Sequence, residues 1–112
     1  MAIKANLFID QGTDFYAIID VTDSDDNAFD LTGYTAYSQM RKNYASTTAY
    51  DFTCVDNEAA GQIELKMSNS ITKDLEPGRY LYDVEIVYDA SGDVTRVAEG
   101  IVTVTPGITR ST

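Results

Sequence analysis

Asp23, Asp25 and Asn27 stand at alternate positions in the acidic segment DVTDSDDNAFD, residues 20–30. A twelve-residue calcium loop opens in this way, because a hard cation collects carboxylate and amide oxygens from alternate side chains. The spacing then departs from such a loop. Its sixth position is Ala28, where a glycine makes the sharp turn, and its twelfth is Tyr34, where a glutamate closes the coordination. Two readings stand: a weak calcium candidate built on Asp23, Asp25 and Asn27, and a solvated acidic turn.

A second candidate is the basic stretch MRKNY, residues 40–44. Arg41 and Lys42, with Tyr37 and Tyr44 nearby, could dock an acidic partner, or could form a solvent face that offsets the acidic loop. Ile108 and Arg110 in the tail GITRST extend the set of candidate partner-binding residues.

Other chemistry lacks its residues. The chain has no histidine, so Ser-His-Asp and Cys-His arrangements are excluded. One cysteine, Cys54, can form neither an intrachain disulfide nor a zinc site. It sits in the alternating run YDFTCVD and reads as a small buried hydrophobe, with a reactive thiol as the minority reading. Neither glycine-rich nucleotide signature is present. Carboxylate pairs are numerous, so a hydrolase built on acidic residues stays as a disfavoured possibility. The expectation is a protein without enzymatic activity and without a cofactor.

The net charge is −10, from eight basic and eighteen acidic residues. Binding to a phosphate backbone depends on Lys and Arg displacing counterions, so no nucleic-acid partner is expected. An anionic membrane surface is disfavoured for the same reason. The N-terminal run MAIKANLFID is interrupted by Asn6 and Asp10 and lacks the apolar length of a signal peptide or membrane span. Synthesis and folding in a cytosol are expected.

The elements that would position these residues are strands. Phe15, Ala17, Ile19 and Val21 alternate on one face of FYAIIDV; Ile63, Leu65 and Met67 do so in QIELKM. Tyr80, Tyr82, Val84, Ile86 and Tyr88 do so in RYLYDVEIVY. Period-two alternation marks half-buried strands of an antiparallel sheet. Weaker runs at 35–44 and 49–55, KANLFI near the start and VTRVAEGIVTVT near the end bring the count to about eight. The fold class expected is an all-β, antiparallel immunoglobulin-like β-sandwich of 7–8 strands. One short helical turn is expected near 69–75, with Ser70 as its cap and Ile71 and Leu75 packed inward. A single domain over 1–106 with a tail at 107–112 follows. At 112 residues it buries roughly 65% of its unfolded surface, enough for one core.

Turn chemistry fits that frame. Gly92 in DASGD takes positive φ in a hairpin loop. Pro77 and Gly78 read as a type II turn entering the tyrosine-rich strand. Tyr80 is the candidate for a corner tyrosine whose hydroxyl bonds back to the backbone upstream, with Tyr82 second.

Taken in order, these motifs resemble those of small tailed-bacteriophage virion proteins, including marine and cyanobacterial phage types. They also resemble the immunoglobulin-like N-terminal domains of baseplate upper proteins. Asp30-Leu31-Thr32-Gly33 matches the first recurrent motif. Gly61, Ile63, Leu65, Thr72 and Leu75, followed by Gly78, Tyr80, Tyr82 and Asp83, match the second. Gly100, Val102, Val104, Pro106, Thr109 and Arg110 match the third. The resemblance covers nearly the whole chain. Larger baseplate proteins continue into coiled-coil or receptor-directed regions, whereas this chain ends at Thr112, which suits a small adaptor. The resemblance implies a structural virion protein present in several symmetric copies, at the tail, baseplate or a fibre attachment. A capsid decoration protein on the head is the alternative. Of another class, a carbohydrate-binding module would use exposed aromatics on one sheet face, and burial of Tyr37, Tyr44 and Tyr50 would count against it.

Overall fold

The long central strand shows how the rest is arranged. From Tyr80 to Ile86 every second side chain is buried, so one face of this strand is core and the other is surface. The structure, a computed structural model, describes residues 3–23 and 25–108. In chain order it has β1 (Ile3–Lys4), β2 (Leu7–Asp10), β3 (Phe15–Asp20), β4 (Tyr34–Arg41) and β5 (Tyr50–Asn57). Then come β6 (Gln62–Met67), α1 (Asn69–Thr72), β7 (Gly78–Tyr88) and β8 (Val94–Thr105).

The protein is all-β, as its alternation implies, but its sheet is curled and mixed, a half-barrel. Strand order is β1-β8-β7-β4-β5-β6-β3, with β2 also on β8. Two features depart from a purely antiparallel sandwich. First, β1 and β2 run parallel to β8. The chain enters beside its own last strand and reaches β3 through a crossing turn, so no hairpin forces antiparallel pairing there. Second, β5 serves both arms of the sheet. Its residues 50–52 pair with β4 and its residues 53–57 pair with β6. The sheet therefore bends around one core instead of splitting into two separate layers.

The bend brings Ile19, Ile63 and Leu65 into one buried cluster with Tyr82, Val84 and Val102. Phe52 stands between Phe15 (5.7 Å) and Tyr82 (6.3 Å), ring centre to ring centre. In β8 the alternation breaks where Val97 and Ala98 are both buried. A bulge there pairs Val84 with Ala98 and Glu85 with Arg96, which resets the inward phase to Ala98, Val102 and Val104.

Two buried phenols tie β7 to backbone elsewhere. The Tyr80 hydroxyl donates to the Glu76 carbonyl at 2.7 Å, four residues upstream. The Tyr82 hydroxyl donates to the Ala5 carbonyl between β1 and β2 at 2.6 Å. At the same point Asn6 Oδ1 accepts the Ile101 N–H at 3.1 Å, so the residue that interrupts the apolar run acts as a side-chain rung of the ladder. Gly100 lies under this contact, and a Cβ there would collide with the Ala5 carbonyl.

Several turn expectations change in detail. Gly92 has φ +78° in the loop joining β7 and β8, as a hairpin requires. Gly78, at φ +137°, is already in β7, and Pro77 makes a bend instead of a type II turn, which needs about +80°. The helix begins after Ser68, not Ser70. Its first N–H is capped from a distance, by Asp14 Oδ1 accepting the Asn69 N–H at 2.8 Å. Thr72 and Leu75 face the core while Ile71 is exposed, and the Thr72 hydroxyl is satisfied by the Thr13 carbonyl at 2.7 Å. In the DLTG motif, the Asp30 carboxylate accepts the Thr32 N–H at 3.0 Å. Hydrogen bonding from the Thr32 side chain and backbone holds this carboxyl below the usual carboxylate range.

Replacing Tyr80 with Phe removes the hydroxyl that donates to the Glu76 carbonyl. Urea or thermal melts are expected to show a loss of about 1 kcal/mol, about 4 °C in Tm. Gly100→Ala should destabilise more, because backbone must move apart.

Candidate functional site

Because β7 buries its even-numbered side chains, its odd-numbered ones form an outer face with those of β4 and β8. Across that face Tyr37 opposes Glu85, Gln39 opposes Asp83 and Arg41 opposes Leu81. Continuing outward, Glu85 opposes Arg96, Asp83 opposes Glu99 and Leu81 opposes Ile101. Lys4 of β1 and Asp51 of β5 bound the face at its two sides. The result is a trough of about 820 Å³, with Tyr37 and Tyr44 among its walls.

Its polar groups are held in place by one another. Arg96 Nε lies 3.2 Å from Asp83 Oδ2. Arg41 donates through Nη1 to the Ser46 carbonyl (2.7 Å) and through Nη2 to Gln39 Oε1 (3.1 Å). Gln39 Nε2 in turn donates to Asp51 Oδ1 at 2.7 Å. Tyr37 and Tyr44 are 57% and 87% exposed, so their ring faces are open to a ligand.

The candidates named from sequence are scattered by the fold. Arg41 and Tyr44 join the trough. Lys42 turns the other way: its ammonium lies 4.7 Å from the centre of the Tyr80 ring, as a cap on the core. Tyr50 is half-buried on the inner face, edge-on to Tyr80 at 6.1 Å. Ile108 is 96% exposed just beyond Pro106, and Arg110 lies outside the described residues.

The acidic candidates Asp23, Asp25 and Asn27 lie on one tight turn. Asp23 Oδ1 accepts the N–H groups of Asp25 (2.8 Å) and Asn27 (3.1 Å), so this carboxylate closes its own turn. Among the described residues no three His, Cys, Asp or Glu side chains come together in a way that could hold a metal.

Sequence reading missed Gln39, Asp83, Arg96 and Glu99 as parts of one site. The available signal was the outward register of β4 and β7: Tyr37, Gln39 and Arg41 on one, Leu81, Asp83 and Glu85 on the other. Their juxtaposition depends on β4–β7 pairing, which local alternation does not specify.

The Cys54 thiol is half-buried beside the core. Burial, then the charges of Asp56 and Asp51, push its pKa up to about 11. Burial likewise pushes the Tyr82 phenol up to about 12. Asp56 is raised by burial, then by Glu58 and Asp89.

No family model matches the chain, and no curated protein does. Among solved structures it is similar to a family 123 glycoside hydrolase from Clostridium perfringens, described for glycolipid glycan hydrolysis. The identity is 9% and the TM-score 0.43. The match covers 96% of this chain but 23% of that one, so this chain spans about a quarter of that structure's length. The expectation of a protein without enzymatic activity is not carried forward. At that score the likeness carries neither activity nor substrate across.

Cys54 should react with iodoacetamide at pH 8 about two orders of magnitude more slowly than an unperturbed thiol, because its thiolate is rarer. In the unfolded chain the thiol ionises first, so its contribution to stability is complete below about pH 8.5 and is lost as pH rises towards 11. Cys54→Ser should flatten that part of the stability profile, read by urea melts across the range.

Proposed function

We propose that the protein is a structural component of a tailed-bacteriophage virion that docks on other chains, at the tail, baseplate or a fibre attachment. The observation that carries this reading is the free edge of β3. Among the described residues β3 pairs with β6 alone, leaving one side of its backbone unpaired. On its outer face Tyr16 and Ile18 are 55% and 45% exposed. An exposed strand edge is a template for strand addition, and neighbouring apolar side chains supply contact area. Repetition over a symmetric particle follows from the same surface recurring on each copy.

An immunoglobulin-like arrangement is supported by the corner hydrogen bond of Tyr80 and by β5 changing arms. A head-decoration role rests on the same edge. Electron microscopy of particles lacking the chain separates the two, by loss of tail density or of head-surface density.

Ile18→Lys puts a charge on an exposed position, where substitutions usually change stability by less than about 0.5 kcal/mol. The variant is expected to fold with an unchanged melting curve and to be lost from assembled particles. Incorporation at the wild-type level would refute docking through this edge.

A further inference from the structure

We propose that the trough on the outer face of β4, β7 and β8 binds a neutral oligosaccharide. That face lies away from the β3 edge.

Charge balance indicates the class of ligand. The trough carries four carboxylates, Asp51, Asp83, Glu85 and Glu99, against three cations, Lys4, Arg41 and Arg96. On a chain of net charge −10 this is a nearly neutral surface, so neither a polyanion nor a polycation finds a field there. What it offers is a dense mixture of fixed acceptors and donors. Sugar hydroxyls both donate and accept, and a vicinal pair can bridge a carboxylate and a guanidinium or amide side by side. The pairs Arg96–Asp83 and Gln39–Asp51 present such combinations, already oriented by their mutual contacts.

The aromatics supply the second half of recognition. Tyr37 rises from the rigid strand β4 and Tyr44 from the turn that follows it. An exposed tyrosine offers a flat, electron-rich face to the C–H side of a pyranose ring while its hydroxyl stays in water. Both tyrosines border the same cleft, and its volume lies within the ordinary range for ligand sites. The trough crosses β1, β8, β7, β4 and β5, which at about 4.8 Å per strand spacing is about 19 Å. That length and open shape suit several linked rings rather than one.

The test is an array of neutral oligosaccharides probed with the purified full chain, followed by calorimetry with the retained sugar. Binding is expected, and Tyr37→Ala should weaken it at least tenfold while leaving the melting curve unchanged. Tyr16→Ala, on the other arm, should leave affinity unchanged. Amide NMR shifts on titration should centre on Gln39, Leu81, Asp83 and Ile101. A silent array, or a sugar whose affinity Tyr37→Ala does not alter, would overturn the proposal. So would retention of a basic peptide in the trough with no sugar bound. Ile18→Lys should bind sugar normally, so failure of particle docking and failure of sugar binding read out separately.

Discussion

Two phenol hydroxyls buried beneath β7 must be hydrogen-bonded, and the way they are satisfied organises the molecule. Leaving such a group unpaired in the interior costs on the order of 1–3 kcal/mol. Tyr80 finds the Glu76 carbonyl at the entry to β7, which fixes how the chain leaves the helix and enters the strand. Tyr82 finds the Ala5 carbonyl, which draws the N-terminal segment onto β8. Asn6 completes that junction by accepting the Ile101 N–H, and Gly100 leaves the space it needs. The inner face of one strand thus sets its own entry and the position of the N-terminal segment.

The outer face inherits that order. Once β1, β8, β7, β4 and β5 are in register, Asp83 meets Arg96 and Gln39 meets Asp51 without further adjustment. The side chains that could contact a ligand stand on strands whose opposite side is packed core, which limits their freedom before anything binds. The β3 edge has a different character. It belongs to the second arm of the curled sheet, so a partner there and a ligand in the trough meet different sides of the protein.

Much of this was legible in the sequence because period-two alternation is a local signal. The inward series Tyr80, Tyr82, Val84 and Ile86 follows from the residues alone, and so does the glycine-bearing hairpin before β8. Less legible were features that depend on distant chain. Parallel pairing of β2 with β8 joins residues nearly a hundred positions apart. The capping of α1 by Asp14 and the sharing of β5 between two arms are of the same kind. Asn6 read as an interruption because its role depends on a backbone N–H contributed by β8. The acidic segment left two readings open, a weak calcium candidate and a solvated turn, because carboxylate spacing is visible in sequence whereas the hydrogen bonds of Asp23 to its own loop are not.

Tyr82 and Asn6 tie the N-terminal segment to β8, so this segment should unfold as one cooperative unit with β7. Native-state hydrogen exchange measures this directly. The Ala5 and Ile101 amides, bonded to the Glu99 carbonyl and to Asn6 Oδ1, should exchange as slowly as those of Tyr80 to Val84 and show the same denaturant dependence. Fast exchange at Ala5 and Ile101, independent of denaturant while β7 stays protected, would mean that the N-terminal segment is not locked to β8.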